Sequence, residues 1–125
     1  KDLETPCLDY LEHEGRQSFM QDVVTSMDSA AAGKGVDAFV YPSWSYPPAN
    51  LDKAIEEYRG DNSQKIAPAT GLPAVTVPMG VTRDTLPAGL QIVGKLDSDG
   101  MLIGMAYAYE QQTHHRTVPQ GYPPL

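Results

Sequence analysis

The sequence predicts an α/β fold in which helices cover a mixed sheet of about three strands. Apolar residues at helical spacing alternate with short β-branched and aromatic runs, in the order helix, strand, long loop, helix, two strands, helix. The strand candidates, residues 39–40, 75–77 and 92–93, are more continuously apolar than alternating. Such strands are typical of a sheet that is buried on both faces, so we expect a two- or three-layer arrangement.

The first half of the chain predicts one helix and one strand. After a polar lead-in at residues 1–17, Ser18 is a suitable N-cap for a helix over residues 18–32. The apolar residues that share one face of this helix are Phe19, Met20, Val23, Val24 and Met27. The segment VDAFVY (residues 36–41) is short, β-branched and aromatic, and it stops at Pro42, which predicts the first strand. Pro42, Pro47 and Pro48 keep the loop after this strand, which contains WSYPP, out of regular structure.

The second half predicts the remaining elements. A weak helical pattern covers residues 51–59, and a short helical segment opens at residues 61–64. Residues 74–79 and 89–93 predict two strands. A last helix is expected over residues 98–112, where Asp97, Ser98 and Asp99 suit its cap and first turn. The tail, residues 117–125, should be extended.

Composition limits the possible functions. A chain of 125 residues has room for a single segment with one modest core. Its net charge of −7 argues against a nucleic-acid partner, and no run approaches the roughly 18 apolar residues of a membrane span. The one cysteine, Cys7, excludes an internal disulfide and is compatible with a reducing compartment such as the cytoplasm, as with many others.

No motif predicts a metal, cofactor or catalytic site within the chain. His13 and Glu14 begin like a metalloprotease HExxH motif, but Gln17 stands at the second ligand position. The pair His114–His115 has no carboxylate or cysteine at ligand spacing and suits the C-terminal end of a helix. The pair Glu56–Glu57 is expected on a solvated helix face.

Four segments in order, within residues 36–116, carry a pattern. They are DAFVYPSWSYPP (37–48), GDNSQKIAPATGLPAVTVPMG (60–80), LPAGLQIVGK (86–95) and LIGMAYAYEQQTHHR (102–116). Together they resemble the amidase signature family, and the last three are similar to the family patterns G-x-P-A-x-x-V-P-x-G, L-P-x-G-L-Q-x-x-G-R and L-x-x-x-A-x-A-Y-E-Q. Lys95 stands where arginine is usual.

The resemblance implies the C-terminal part of an amidase fold and a role in the hydrolysis of linear amides. In the family, a serine nucleophile is activated by a second serine and a lysine near a Gly-Gly-Ser-Ser stretch, and an acyl-enzyme forms. No serine of this chain lies in such a stretch. The resemblance therefore implies that the triad lies upstream, and that this chain contributes strands and one wall of the substrate pocket.

Three residues are expected in that wall. The resemblance places Asp61, ten positions before Gly71, where a carboxylate binds the substrate's polar groups. A helix N-cap is the alternative role for Asp61. Trp44 and Tyr46 follow a strand, at the position where α/β folds bind ligands, although they also suit simple packing over the sheet.

Two functions therefore remain as expectations. The first is the C-terminal segment of an amidase, with a small-molecule amide as ligand and the rest of the amidase chain as partner. The second is a non-catalytic binding or structural module. The polar start without an initiator methionine favours a fragment of a longer protein. A sheet cut from a wider one exposes an edge, which predicts self-association of the isolated chain.

Overall fold

The computed structural model describes residues 14–33, 35–60, 65–83, 85–118 and 121–122. The elements follow one another in the predicted order, and the α/β class is confirmed. They are helix α1 (Glu14–Gly33), strand β1 (Ala38–Pro42), a 3-10 turn (Leu51–Lys53) leading into helix α2 (Ala54–Glu57), helix α3 (Ile66–Thr70), strands β2 (Ala74–Thr82) and β3 (Leu86–Gly94), and helix α4 (Asp99–Thr113).

The described strands form one three-stranded sheet in the order β1-β3-β2, and both pairs are antiparallel. The three strands confirm the predicted number, but the pairing differs from the expected mixed sheet. Strand β2 ends at Thr82 and β3 begins at Leu86, and so short a connection permits only an antiparallel hairpin between them. Strand β1 runs in the same direction as β2 but lies across β3 from it, so no parallel pair forms among these strands.

The hairpin is longer than the sequence predicts. Strand β2 continues beyond Met79, and β3 begins at Leu86 rather than Gly89, although both extensions contain glycine or proline. A β-bulge between Pro78 and Gly80 leaves Met79 without a cross-strand partner. Gly80 has φ of +120°, a conformation that L side chains rarely adopt. The glycine therefore permits the bulge instead of ending the strand.

The sheet has a core on each face. On one face, Val93 packs with Met27 of α1 and with Leu72, which precedes β2. On the other, Ile92 packs with Val77 and with Leu102 of α4. Burial on both faces is thus confirmed for β3. The expected burial on both faces is wrong for part of β1, because Val40 is 62% exposed.

The helix ends differ in detail from the sequence prediction. Helix α1 begins at Glu14, so Ser18 is an interior residue rather than its N-cap. Ser98 does precede α4, but its hydroxyl donates to the Lys95 carbonyl (2.6 Å) and caps no helix amide. In the part of the chain that the structure describes, no helix combines the length and the apolar character needed to cross a membrane.

Candidate functional site

A groove lies over the sheet at the end of β1. Its cavity volume is about 790 Å³, within the range of small-molecule sites. We call it the aromatic groove because Trp44, Tyr46 and Tyr58 are among its lining residues. Its lining residues are Pro42, Ser43, Trp44, Ser45, Tyr46, Pro47, Pro48, Ala49, Tyr58, Arg59, Thr76, Met79, Thr82, Pro87, Ala88 and Gly89.

Alternation along β3 places the groove on the same face as Val93. Gln91 and Gly89 lie two and four positions before Val93, so all three point to that side of the sheet. Helices α1 and α3 supply the residues that pack around Val93. The groove is the continuation of this face towards the β2–β3 turn.

Close packing around Gly89 forms the floor of the groove. The Ser43 amide donates a hydrogen bond to the Gly89 carbonyl (2.8 Å) and thereby joins the loop after β1 to the central strand. A Cβ atom at position 89 would lie 2.9 Å from both the Ser43 Oγ and the Thr76 Cγ2. Such distances are below van der Waals contact, so glycine is required for these side chains to meet over β3.

The far wall is held by a contact between Glu57 and Asn50. One carboxylate oxygen of Glu57 accepts hydrogen bonds from the Asn50 backbone amide (3.1 Å) and side-chain amide (2.8 Å). Asn50 precedes the 3-10 turn and Glu57 ends α2, so the contact holds the two ends of this segment together. Tyr58 and Arg59 follow directly after it. Glu56 is exposed, as expected for a solvated helix face, whereas Glu57 is half-buried and hydrogen-bonded.

Arg59 dominates the electrostatics of the groove. It is the one charged side chain among the described lining residues, in a chain of net charge −7. Its guanidinium carbon lies 5.8 Å from the centre of the Tyr46 ring, within the range of a cation–π interaction. Arg59 was not predicted as a site residue, because it belongs to no motif and a single arginine after a short helix is common in sequences.

Two buried polar atoms lie beside the groove. The Tyr41 hydroxyl and the Gln91 Oε1 are buried without a hydrogen-bond partner among the described residues. Tyr41 and Gln91 are cross-strand neighbours, and Thr76 lies on the other side of Gln91. Burial raises the pKa of the Tyr41 phenol above its ordinary value of 10.0, because desolvation disfavours the phenolate.

The predicted pocket residues separate into two groups. Trp44 and Tyr46 both line the aromatic groove, so the structure brings them together. Asp61 lies outside the described residues, and its proposed role stays a prediction. Cys7 and His13 also lie outside them.

The histidine pair after α4 shows no ligand arrangement. His114 and His115 are exposed, and the His115 ring lies 6.3 Å from the ring of Tyr109. The His114 amide donates to the Glu110 carbonyl (2.9 Å) at the helix end. Throughout the described ranges, no group of three or more His, Cys, Asp or Glu side chains is placed to hold a metal ion.

Comparison with known proteins identifies the family. No protein-family model matches the chain. A glutamyl-tRNA(Gln) amidotransferase subunit of Clostridium botulinum is 37% identical over 84 residues, which is 64% of this chain and 17% of the relative. Peptide amidase from Stenotrophomonas maltophilia matches with a TM-score of 0.63 at 34% identity, over 84% of this chain and 20% of that enzyme. The structure of PAM12A matches with a TM-score of 0.72 at 31% identity, over 98% of this chain and 24% of that one.

The chain belongs to the amidase signature family. It spans between 17% and 24% of the length of these three relatives. The four segments that resemble the amidase signature pattern contribute β1 with the groove loop, β2, β3 and α4, respectively. The amidase signature segments thus form most of the sheet and one of the walls of the aromatic groove.

Proposed function

We propose that this chain is the part of an amidase-type hydrolase of linear amides that supplies sheet strands and one wall of the substrate pocket. The observation that carries the proposal is the aromatic groove, where Trp44 and Tyr46 stand over the central strand of an amidase signature chain. Its volume and apolar lining suit the organic part of an amide. The exposed edges of Trp44 and Tyr46 would contact that part directly.

The chemistry itself is assigned to residues elsewhere in the polypeptide. Hydrolysis by this family's route needs a serine nucleophile, a second serine and a lysine, in a sequence setting that this chain lacks. The wall would act by binding and orienting the amide, which lowers the barrier by holding the carbonyl near the nucleophile. The chain by itself is therefore expected to release no ammonia from simple aliphatic or aromatic amides.

Asp61 is proposed as a polar contact in the same pocket. A carboxylate there would accept hydrogen bonds from the amide or ammonium group of a substrate. The competing role, a helix N-cap, is separable by substitution because asparagine caps as well as aspartate. Asp61→Asn should raise KM without lowering the melting temperature if Asp61 binds substrate. If only Asp61→Ala has an effect, and only on the melting temperature, the capping role is correct.

The deciding experiment compares the isolated chain with the intact polypeptide that carries it. Both are incubated with aromatic amides, and ammonia release is measured. We expect turnover from the intact polypeptide only, and Trp44→Ala or Tyr46→Ala should raise its KM by about tenfold through lost aromatic contact. Tyr107→Ala is the matched control, because Tyr107 is an exposed aromatic residue of α4 outside the groove.

Two results would contradict the proposal. Turnover by the isolated chain that survives repurification and disappears on mutation of one of its residues would place the chemistry here. An intact polypeptide that hydrolyses no amide would instead favour a non-catalytic binding or structural module.

A further inference from the structure

The aromatic groove carries a charge pattern that restricts its ligand. Its described lining contains one cation, Arg59, and no anion. No ion pair joins Arg59 to a carboxylate of the described residues, and its described partner is the Tyr46 ring. In a chain with a net charge of −7, this is a local reversal of sign beside an apolar surface.

An arginine in this arrangement is suited to bind an anion. A guanidinium that packs on an aromatic ring remains charged and retains N–H donors for a carboxylate. The ring contact also limits the conformations of the long side chain, so less entropy is lost when an anion binds. Lysine would keep the charge but would lose the planar donor pair.

We propose that Arg59 makes the aromatic groove selective for amides that have an aromatic body and a carboxylate remote from the amide group. The ring would lie against Trp44 and Tyr46, and the carboxylate would bind the Arg59 guanidinium. The amide group, at the opposite end of such a ligand, is the group proposed above to contact Asp61, so the two charged side chains would bind different ends of the ligand. This inference rests on the proposed role of the groove as a substrate wall and adds the substrate class. Arg59 acts here as a specificity-determining residue and takes no part in bond breaking.

The test uses the fluorescence of Trp44, the one tryptophan of the chain, which lines the groove. Two aromatic amides, one with a carboxylate and one without charge, are titrated as probes into the purified 125-residue chain. 4-Carboxyphenylacetamide carries the remote carboxylate, and 4-methylphenylacetamide has the same ring and amide without charge. The Kd of the acid should be about threefold to fivefold lower, as for a partly exposed ion pair, and the difference should shrink at high salt.

Three variants separate charge from packing. Arg59→Gln should equalise the two Kd values, while Arg59→Lys should keep part of the preference. Arg116→Gln removes the same charge from an exposed position beyond α4 and should leave the preference unchanged.

The outcomes distinguish this inference from the proposed function. If the neutral probe binds and the acid binds no tighter, or if Arg59→Gln retains the preference, the selectivity is wrong while the groove remains a ligand site. If neither probe changes the Trp44 fluorescence, the groove of this chain binds no aromatic amide and the inference is overturned, whereas the proposed function is decided separately by ammonia release from the intact polypeptide.

Discussion

Ile92 and Val93 are neighbours on β3 that enter different cores. Ile92 packs with Leu102 of α4 on one face of the sheet, and Val93 packs with Met27 of α1 on the other. Val93 is fully buried, and Ile92 is 4% exposed. The central strand therefore links two packing layers through adjacent side chains, and the stability of each layer depends on β3.

Shortening the Ile92 side chain should weaken the fold measurably. Ile92→Val removes one buried methyl group and is expected to lower the free energy of unfolding by about 0.5–1.5 kcal/mol. Val40→Ala is the control, because Val40 is largely exposed on β1 and should change stability by less than about 0.5 kcal/mol. Urea unfolding measures both. Equal effects at the two positions would contradict the two-core arrangement.

Two glycines should respond in opposite directions to alanine. A Cβ atom at Gly94 would clash with Ser98 and lie 2.9 Å from the Leu102 Cδ2, so Gly94→Ala should destabilise by about 1–3 kcal/mol. Gly104 lies on the exposed face of α4, with nothing within 4 Å of an added Cβ. Gly104→Ala should therefore stabilise by up to about 1 kcal/mol through helix propensity. Thermal unfolding followed by circular dichroism tests the pair, and destabilisation at both positions would show that α4 packs differently.

Tyr41 should make stability fall at high pH. The folded state raises the pKa of its phenol, so it holds the proton more tightly than the unfolded chain. The stabilisation from the protonated phenol is complete below the unfolded-state pKa of about 10. It is lost as the pH rises through the raised folded-state pKa. In Tyr41→Phe, the fall in stability that comes from ionisation of this phenol should be absent.

At neutral pH, the same variant also removes a buried hydroxyl without a described partner, and it should be neutral or stabilising by about 1 kcal/mol. Chemical unfolding at a series of pH values from 7 to 11 measures both effects, with Tyr107→Phe as the exposed control. A marked loss of stability in Tyr41→Phe at pH 7 would mean that the hydroxyl is hydrogen-bonded after all.

The isolated chain should associate through exposed apolar surface. Leu51 and Ile55 are 99% and 98% exposed, and Tyr58 is 64% exposed. All three lie in the short segment that runs from the 3-10 turn to the residue after α2. Light scattering over a concentration series should show self-association, which Ile55→Lys should reduce. Glu56→Gln changes the charge equally and should not reduce it. A strictly monomeric chain that binds no hydrophobic dye would indicate a self-sufficient domain.

Local patterns in the sequence were sufficient for the kinds of element and their order. The apolar spacing at Val23 and Met27 and the runs around Val75 and Ile92 predict helix and strands from neighbours in the chain alone. Trp44 and Tyr46, which follow a strand in the sequence, both line the aromatic groove. Whether they bind substrate remains a prediction.

The fold class, the family resemblance and the absence of the family's catalytic serine stretch follow from the sequence, because each of these depends on residues that are close along the chain. The pairing of β1 with β3, the bulge at Met79 and the position of Arg59 on Tyr46 follow only from the three-dimensional structure. These features arise from contacts between different segments of the chain. The Ser43–Gly89 hydrogen bond is one example. Its free energy depends on which strands meet, and that is set by the packing of the whole sheet rather than by local propensity.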